Sequence, residues 1–584
     1  MKNNRRDFLK NSTLLALSGG MVSVLPQNVL SANSQFSSVG SEELNCDILI
    51  VGGSFGGVSA ALSAAKQGKR VIMTEETKWL GGQATTQGVP LDEHPWIEEY
   101  GLNQSYATFR NSIRDYYRRF YPLSYAAQKD PYLNPGAAWV TSLGYEPQVG
   151  LAVISQMLAP HTTSGNIIVL TQHKPVKVET DGDYFRSVTL KDLELNVERT
   201  ISAKFILDAT ELGDLLGLGK VEHTIGAEAQ SETQEPNAYG EGDPLRQQPF
   251  THLIAVDYLP GENHVIGKPK DYEKYRSGFK HLNGVLPTGG DEIKVRMRRL
   301  FAPENPAKYE SCIWNFRRYF CRSNFEPGAF PSDVTGIMVG EYTSGQLIGV
   351  PEKEAAYHLE QAKQLSLSAI YYFQTEIENG YKGKSGFPGI RTRGDVFGTI
   401  DGLAQYPYIR ESRRIKAEFT VLEQHFHIDM NPDGPLKYKD SVGVAGYRID
   451  IHEKRKQGSF TTELHNKHWP QQIPLGCLIP QRVENMLAAC KNVGTTHITN
   501  GAFRLHPVEW NIGEAAGALA AYCLDNNLKP REVRNTPARL KDFQRMVGKQ
   551  GVQMEWPGME HGRSYNSHFV NVPDWYWGEA GFKY

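Results

Sequence analysis

The chain has 584 residues, 63 basic and 65 acidic side chains, a formal net charge of −2 and a pI near 6.8. That length exceeds what one hydrophobic core organises, so two or more domains are expected. The balanced charge gives no case for a nucleic-acid partner, and no apolar run past the N-terminus reaches bilayer length, so no stable membrane insertion is expected.

Residues 1–32 read as a targeting segment rather than as part of the fold. Asn4-Arg5-Arg6-Asp7-Phe8-Leu9-Lys10 resembles a twin-arginine export signal, followed by a moderately apolar Leu14 to Leu25 stretch and small residues around Ala32. Such signals accompany proteins exported already folded, so a periplasmic or secreted location is the expectation. The plain alternative is a basic, frayed N-terminus.

The organising unit begins at Cys46. Ile48-Leu49-Ile50-Val51 is a short apolar run bounded by glycine, which predicts a buried parallel strand. Gly52-Gly53-Ser54-Phe55-Gly56-Gly57 follows, then Val58, Ala61, Leu62 and Ala65 at helical spacing, with Gly68 placed to end the helix. Val71 to Thr74 predicts a second strand that delivers Glu75. A strand, a glycine turn, a helix, a strand and a carboxylate form a dinucleotide fingerprint in its required context. Backbone amides at Gly52, Gly53, Ser54, Phe55 and Gly57 are the candidates to meet a pyrophosphate at the helix N-terminus. Ser54 stands where the middle glycine of G-x-G-x-x-G belongs, unless Gly53 takes that role. Glu75 or its neighbour Glu76 is the candidate ribose ligand. The structural alternative is a tight turn whose glycines serve packing only.

Trp79-Leu80-Gly81-Gly82-Gln83-Ala84-Thr85-Thr86-Gln87-Gly88 comes next. Here the sequence resembles the FAD-dependent oxidoreductases of the glutathione-reductase-like fold, and within them a branch of exported, mostly uncharacterised bacterial flavoproteins, some labelled xanthan lyase. The resemblance implies an FAD cofactor, with Gly82 and Gln83 bordering the flavin. Residues 90–145 carry Trp96, many tyrosines and Arg114-Asp115-Tyr116-Tyr117-Arg118-Arg119, which read as a polar helix face in preference to a pocket lining. Ile167 to Leu170 predicts another strand, and Val176 to Ile201, broken at Asp181-Gly182, a β-meander. Val176 is a candidate cofactor contact. Phe205 to Thr210 predicts a strand, and the resemblance returns Ala209 and Thr210 to the cofactor's nucleotide half, with Glu211 in a position the family gives to glycine.

The resulting fold expectation is α/β: a discontinuous Rossmann-like FAD-binding domain with a β-meander, over 44–224 and 471–526, plus an inserted α+β substrate or cap domain over 225–470. An aromatic tail spans 527–584. Within the insert, Tyr408 to Ile415 holds Arg410, Glu411, Arg413 and Arg414, read first as an ion-pair lattice and second as guanidinium groups for an anionic substrate or the flavin; Arg391 and Arg393 invite the same pair of readings. In the second FAD segment, small residues after Trp510 predict a helix start, with Asn511 and Ile512 as cofactor contacts. In the resembled fold that helix N-terminus faces the flavin's N1–C2=O edge. Polar residues just ahead of it, His497, Arg504, His506 and Glu509, are the candidates for chemistry. His506 is preferred as base and Arg504 as anion or carbonyl partner, against the alternative that His506 merely packs. In the tail, Trp556 and Trp575-Tyr576-Trp577 suit docking in preference to carbohydrate stacking.

Six cysteines without a C-x-x-C pair argue against a zinc ribbon or iron–sulfur cluster, and no metal is expected. A Cys312–Cys321 disulfide is the weaker of two readings. No second glycine fingerprint lies between Leu170 and Cys490, so an NAD(P)H site is not supported. The expectation is therefore dehydrogenation of a CH–OH or CH–NH group in a small-molecule or carbohydrate substrate, with oxygen, a quinone or a protein reoxidising FAD. A flavin-containing polysaccharide lyase and a non-catalytic FAD- or glycan-binding protein are the alternatives.

Overall fold

A computed structural model describes residues 44–94, 96–280, 282, 299–301, 312–379, 384–452 and 468–556. The export motif and Trp575-Tyr576-Trp577 lie outside the described residues.

Two β-branched runs flank a helix of small residues and set the frame. Strand β1 (Leu44–Val51) leads into helix α1 (Phe55–Lys66) and returns through β2 (Val71–Glu75). Gly68 follows the helix at φ +76°, a left-handed conformation that glycine adopts without a Cβ penalty. Helices α2 (Gln104–Phe120) and α3 (Pro147–Thr163) precede β3 (Ile167–Thr171), which lies parallel to β2. A meander follows: β4 (His173–Asp181), β5 (Tyr184–Asp192) and β6 (Val197–Asp208). Strand β6 has two partners in succession. Val197 to Ser202 pairs antiparallel with β5, while Ile201 to Asp208 pairs parallel with β1. The meander is thereby fused to the parallel sheet by one continuous strand.

The insert builds a second, antiparallel sheet from β7 (Ile254–Tyr258), β8 (Arg318–Phe320), β9 (Val334–Ile337) and β10 (Ile390–Thr392), in the order β10-β7-β9-β8. Helix α4 (Glu352–Thr375) belongs to the core of this sheet through Ala362, Leu365, Ala369 and Phe373. The composition of 225–470 did not predict a 24-residue helix. Its signal was the 3–4 spacing of those four residues, masked by the surrounding loops.

The chain then forms β11 (Ser441–Ala445), β12 (Gln471–Pro474) and β13 (Met486–Ala488), the last of which joins β6 in parallel. The first sheet thus has seven strands in the order β3-β2-β1-β6-β5-β4, with β13 off that path. Helices α5 (His497–Phe503), α6 (His506–Asn526) and α7 (Pro537–Lys549) complete the described chain.

Helix α6 packs on α1 through small residues. A Cβ on Gly513 would overlap the carbonyl oxygen of Gly56, and one on Gly517 that of Ala60. Ser59 Oγ donates to Trp510 O at 2.7 Å, a polar contact between the helices. Trp556 is fully buried beside His94, Trp96 and Tyr100 and donates to Gln471 O at 2.9 Å, so this part of the tail docks. No disulfide forms among the six cysteines, and all are buried. The α2 reading needs correction. Arg110 and Arg114 point inward and pair with Glu93 and Glu98, whereas Asp115 and Arg119 are exposed and Tyr116 and Arg118 half-buried, so the polar face holds for part of the run only.

Candidate active site

Parallel strands β1, β2 and β6 end at one level, Val51 standing opposite both Thr74 and Asp208. A crevice opens beyond their carboxyl ends, where open α/β sheets hold ligands. It is lined by Gly52, Glu75, Glu76, Gly82, Ala209 and Thr210, all anticipated, and also by Gln87, His173, Pro175, Glu211 and Tyr406.

The loop between β1 and α1 shows why the fingerprint tolerates a serine. Gly52 sits at φ +105° against the Ala209 carbonyl, and a side chain on Gly56 or Gly57 would overlap the carbonyl of Ala489 or Gly52. Those glycines are fixed by backbone approach. Ser54 turns its hydroxyl inward as the N-cap of α1, accepting from Gly57 N at 3.1 Å. The Phe55 side chain belongs to the core against Phe109 and Trp510, leaving only its backbone for a ligand.

Glu75 fastens this loop to β2. Its Oε2 accepts from Gly53 N at 2.8 Å, and its Oε1 accepts from Thr77 N at 2.8 Å and Thr77 Oγ1 at 2.7 Å. Burial raises the carboxyl to about 7 despite the Thr77 bonds. Glu76 is also raised by burial, opposed by Lys174 at 3.5 Å. Lys491 is buried and ion-paired with Glu211. Glu509, on the first turn of α6, accepts from Gly56 N at 3.0 Å and from Gln83 Nε2, tying the N-termini of α1 and α6 together across 453 residues. Gln83 Nε2 also reaches Arg504 O at 3.1 Å, while its buried Oε1 has no partner among the described residues.

Three expected cofactor contacts are not among the residues that line the crevice. Helix α6 begins at His506, not near Asn511, because Pro507 suits its first turn. Asn511 and Ile512 therefore lie inside the helix, where the ladder uses their amides. The Asn511 side chain turns to Asn103 at 3.3 Å, and Ile512 is fully buried. Val176 falls at a register shift of the β4–β5 ladder and is exposed, while Pro175 and His173 line the crevice.

His506 is buried, and its Nδ1 accepts the Asp92 amide at 3.0 Å. That bond leaves the ring proton on Nε2 and no lone pair for a substrate proton. Burial, helped by Lys491 and Arg317, lowers its pKa to about 3. These features weigh against His506 as base.

A different imidazole has the better geometry. His497 Nδ1 lies 2.9 Å from Glu411 Oε2, and its Nε2 has no partner among the described residues. The Glu411 carboxylate also accepts from Gln248 N at 2.9 Å and from Arg414, which in turn bonds Glu228 at 2.8 Å. Burial opposes charge on His497, but Glu411 outweighs it and raises the pKa above the ordinary value. Arg504 donates to Tyr408 Oη at 2.5 Å and to Asp450 O at 3.0 Å. Arg410 joins Glu341 at 2.6 Å, and Arg391 and Arg393 both hold Asp257, at 2.6 and 3.0 Å. The ion-pair reading of these arginines is the one observed. Residues 406–411 connect crevice and lattice, since Tyr406 lines the crevice, Ile409 N meets Gln87 Oε1 at 3.3 Å and Glu411 holds His497. The roles of Glu411, Tyr408 and Asp450 carried no local signal, because each pairs across 54 to 96 residues.

A dinucleotide crevice at a switch point, joined to a buried lattice of acids, arginines and an oriented histidine, defines a nucleotide-cofactor enzyme. Residues 47–547 match the family model described as FAD dependent oxidoreductase, and the chain belongs to that family. FAD is its cofactor, and it is an oxidoreductase. No curated protein matches the chain. Among solved structures, p-nitrophenol 4-monooxygenase PnpA from Pseudomonas putida DLL-E4 is 12% identical, with 93% of this chain and 96% of that one covered and a TM-score of 0.33. The rebeccamycin biosynthetic enzyme RebC with reduced flavin is 13% identical over 37% of this chain and 39% of that one, TM-score 0.20. The glycerol-3-phosphate dehydrogenase from Bacillus halodurans complexed with FAD is 16% identical over 37% and 40%, TM-score 0.21. The last two matches span about two fifths of those chains, and none of the three scores bears on substrate.

Proposed function

We propose that this enzyme is exported and dehydrogenates a carbon bearing an alcohol or amine in an organic, carbohydrate-like substrate. FAD, when bound, supplies the hydride acceptor at N5. The Ser54 and Phe55 amides meet the pyrophosphate at the α1 N-terminus, since the Gly52, Gly53, Gly56 and Gly57 amides donate to Thr74, Glu75, Glu509 and Ser54, and Glu75 accepts from ribose hydroxyls, its loop contacts having fixed its position. Gly82 and Gln83 border the flavin, and Ala209 and Thr210 close the nucleotide side.

The observation that carries this reading is the His497–Glu411 pair. Glu411 holds the Nδ1–H, so Nε2 presents a lone pair. As the substrate carbon gives up its hydride, the substrate oxygen or nitrogen gives its proton to Nε2, leaving a carbonyl or imine. Arg504, fixed by Tyr408 and Asp450, supplies positive charge beside that transfer. Reoxidation falls to oxygen, a quinone or a protein, in keeping with the absence of a second glycine fingerprint from the sequence.

Anaerobic mixing with a panel of sugars, alcohols and amines tests the reading through bleaching of the flavin band. With His497 as base, the bleaching rate rises with pH through a midpoint above the ordinary histidine value and then levels off, because only the neutral imidazole accepts a proton. A midpoint near 3 assigns the proton to His506 instead.

A further inference from the structure

Outside the crevice, three metal-ligating side chains from two stretches of chain converge in the interior. Glu423 opens the turn Glu423–His425, His427 follows it, and His468 stands three residues before β12. One ligand atom from each lies within 4.8 Å of the other two, and all three residues are buried. We propose that Glu423, His427 and His468 bind one divalent first-row metal ion, zinc by the nature of the donor set, with water as the fourth ligand.

The spacing favours an ion over a simple ion pair. Zinc binds histidine nitrogen and carboxylate oxygen at about 2.0–2.2 Å in a tetrahedron, which separates neighbouring ligand atoms by about 3.3–3.5 Å. Glu423 Oε1 and His468 Nε2 are 3.3 Å apart. A charge-assisted hydrogen bond between them would close to about 2.7–2.9 Å. Among the described residues the His427 ring makes one long hydrogen bond, Nδ1 accepting the Asp429 amide at 3.2 Å, and an edge-on contact with the His468 ring. That hydrogen bond holds the ring weakly and yields to coordination.

The carboxylate, by contrast, is firmly aimed. Asn237 donates to Glu423 Oε2 through its backbone at 3.0 Å and to Oε1 through its side chain, the kind of outer support that orients metal ligands. Glu423 N donates to Glu235 at 2.9 Å, and the same Glu235 oxygen accepts from Thr496 Oγ1 at 2.7 Å at the start of α5. Trp469 N donates to Phe426 O at 2.9 Å beside the His427–His468 bridge. A bound ion therefore clamps the 423–427 turn to the approach of β12, behind the helix that carries His497.

The test uses full-length protein with FAD bound and no histidine tag. Zinc, iron, manganese, nickel and copper are measured by mass spectrometry, and chelator-treated protein is titrated with Zn2+ while Tm is followed. The site predicts about one ion per chain, a Tm that falls on chelation and recovers at equimolar Zn2+, and about tenfold or greater loss of metal in Glu423→Gln and His468→Gln. His425→Gln, which alters a neighbouring histidine bonded to Leu422 N at 3.1 Å, keeps the ion. The flavin spectrum identifies variants that are folded, and Zn2+ titration of wild-type protein decides the matter if a variant is not. Less than about a tenth of an ion per chain with no Tm response to Zn2+ overturns the site. Equal metal in the wild type and a folded Glu423→Gln does the same.

Discussion

The α1–α6 interface and the lattice around Glu411 are both buried, yet they are built on opposite principles. Between the helices, glycine, alanine and serine bring two backbones together, with a single carboxylate, Glu509, at the end of the contact. In the lattice, Arg410, Arg414, Glu411, His497 and Arg504 are all nearly inaccessible to water, and each is matched to a partner of opposite charge or to a carbonyl. The first holds shape by exclusion of volume, and the second by pairing charges whose desolvation is costly. The first region is scaffold, and the second is the region to which the proposed function gives the proton transfer.

The largest expected effect comes from unbalancing the lattice. Arg414→Leu leaves Glu228 without its cation and Glu411 with His497 alone, and should cost about 3–5 kcal/mol in urea unfolding, with Arg414→Leu/Glu228→Leu less damaging than the single change. Gly513→Ala probes the other region. Its methyl meets the Gly56 carbonyl, so the helices must part, at about 1–3 kcal/mol with weakened FAD retention.

A smaller effect separates the two histidines by pH. The His506 pKa is lowered to about 3 in the fold, so between 6.5 and 3 the unfolded chain binds a proton that the native state refuses. Its contribution to stability therefore falls as pH falls through that window, by up to about 1.4 kcal/mol per pH unit, and His506→Gln should flatten the decline. His497 has the opposite sign. Its raised pKa gives stability present below the unfolded value near 6.5 and lost as pH rises through the folded one. The smallest effect concerns the crevice: Glu75→Ala should lower FAD retention by about 1 kcal/mol more than Glu76→Ala, because Glu75 also anchors Gly53 N. The reverse order would move the ribose contact to Glu76.

The same contrast explains what the sequence made legible. Ile48 to Gly57, Val71 to Glu75 and the break at Asp181-Gly182 announce strand, turn and meander through local period and glycine placement. Ser54 looked like a flaw in the fingerprint and proves to be a helix cap. The start of α6 was misplaced because the small residues after Trp510 mark where it packs, while Pro507 marks where it begins. His497 was among the candidates, but its preference over His506 depends on Glu411, 86 residues away. No spacing within either stretch encodes that pairing.

The central claim is that substrate carbon is oxidised at this crevice, and anaerobic mixing of the flavin-loaded enzyme with sugars, alcohols and amines tests it most directly. Bleaching of the flavin band by a member of that panel, with the matching carbonyl or imine as product, is the predicted result. Single-turnover formation of product from such a compound with the flavin oxidised throughout would contradict it.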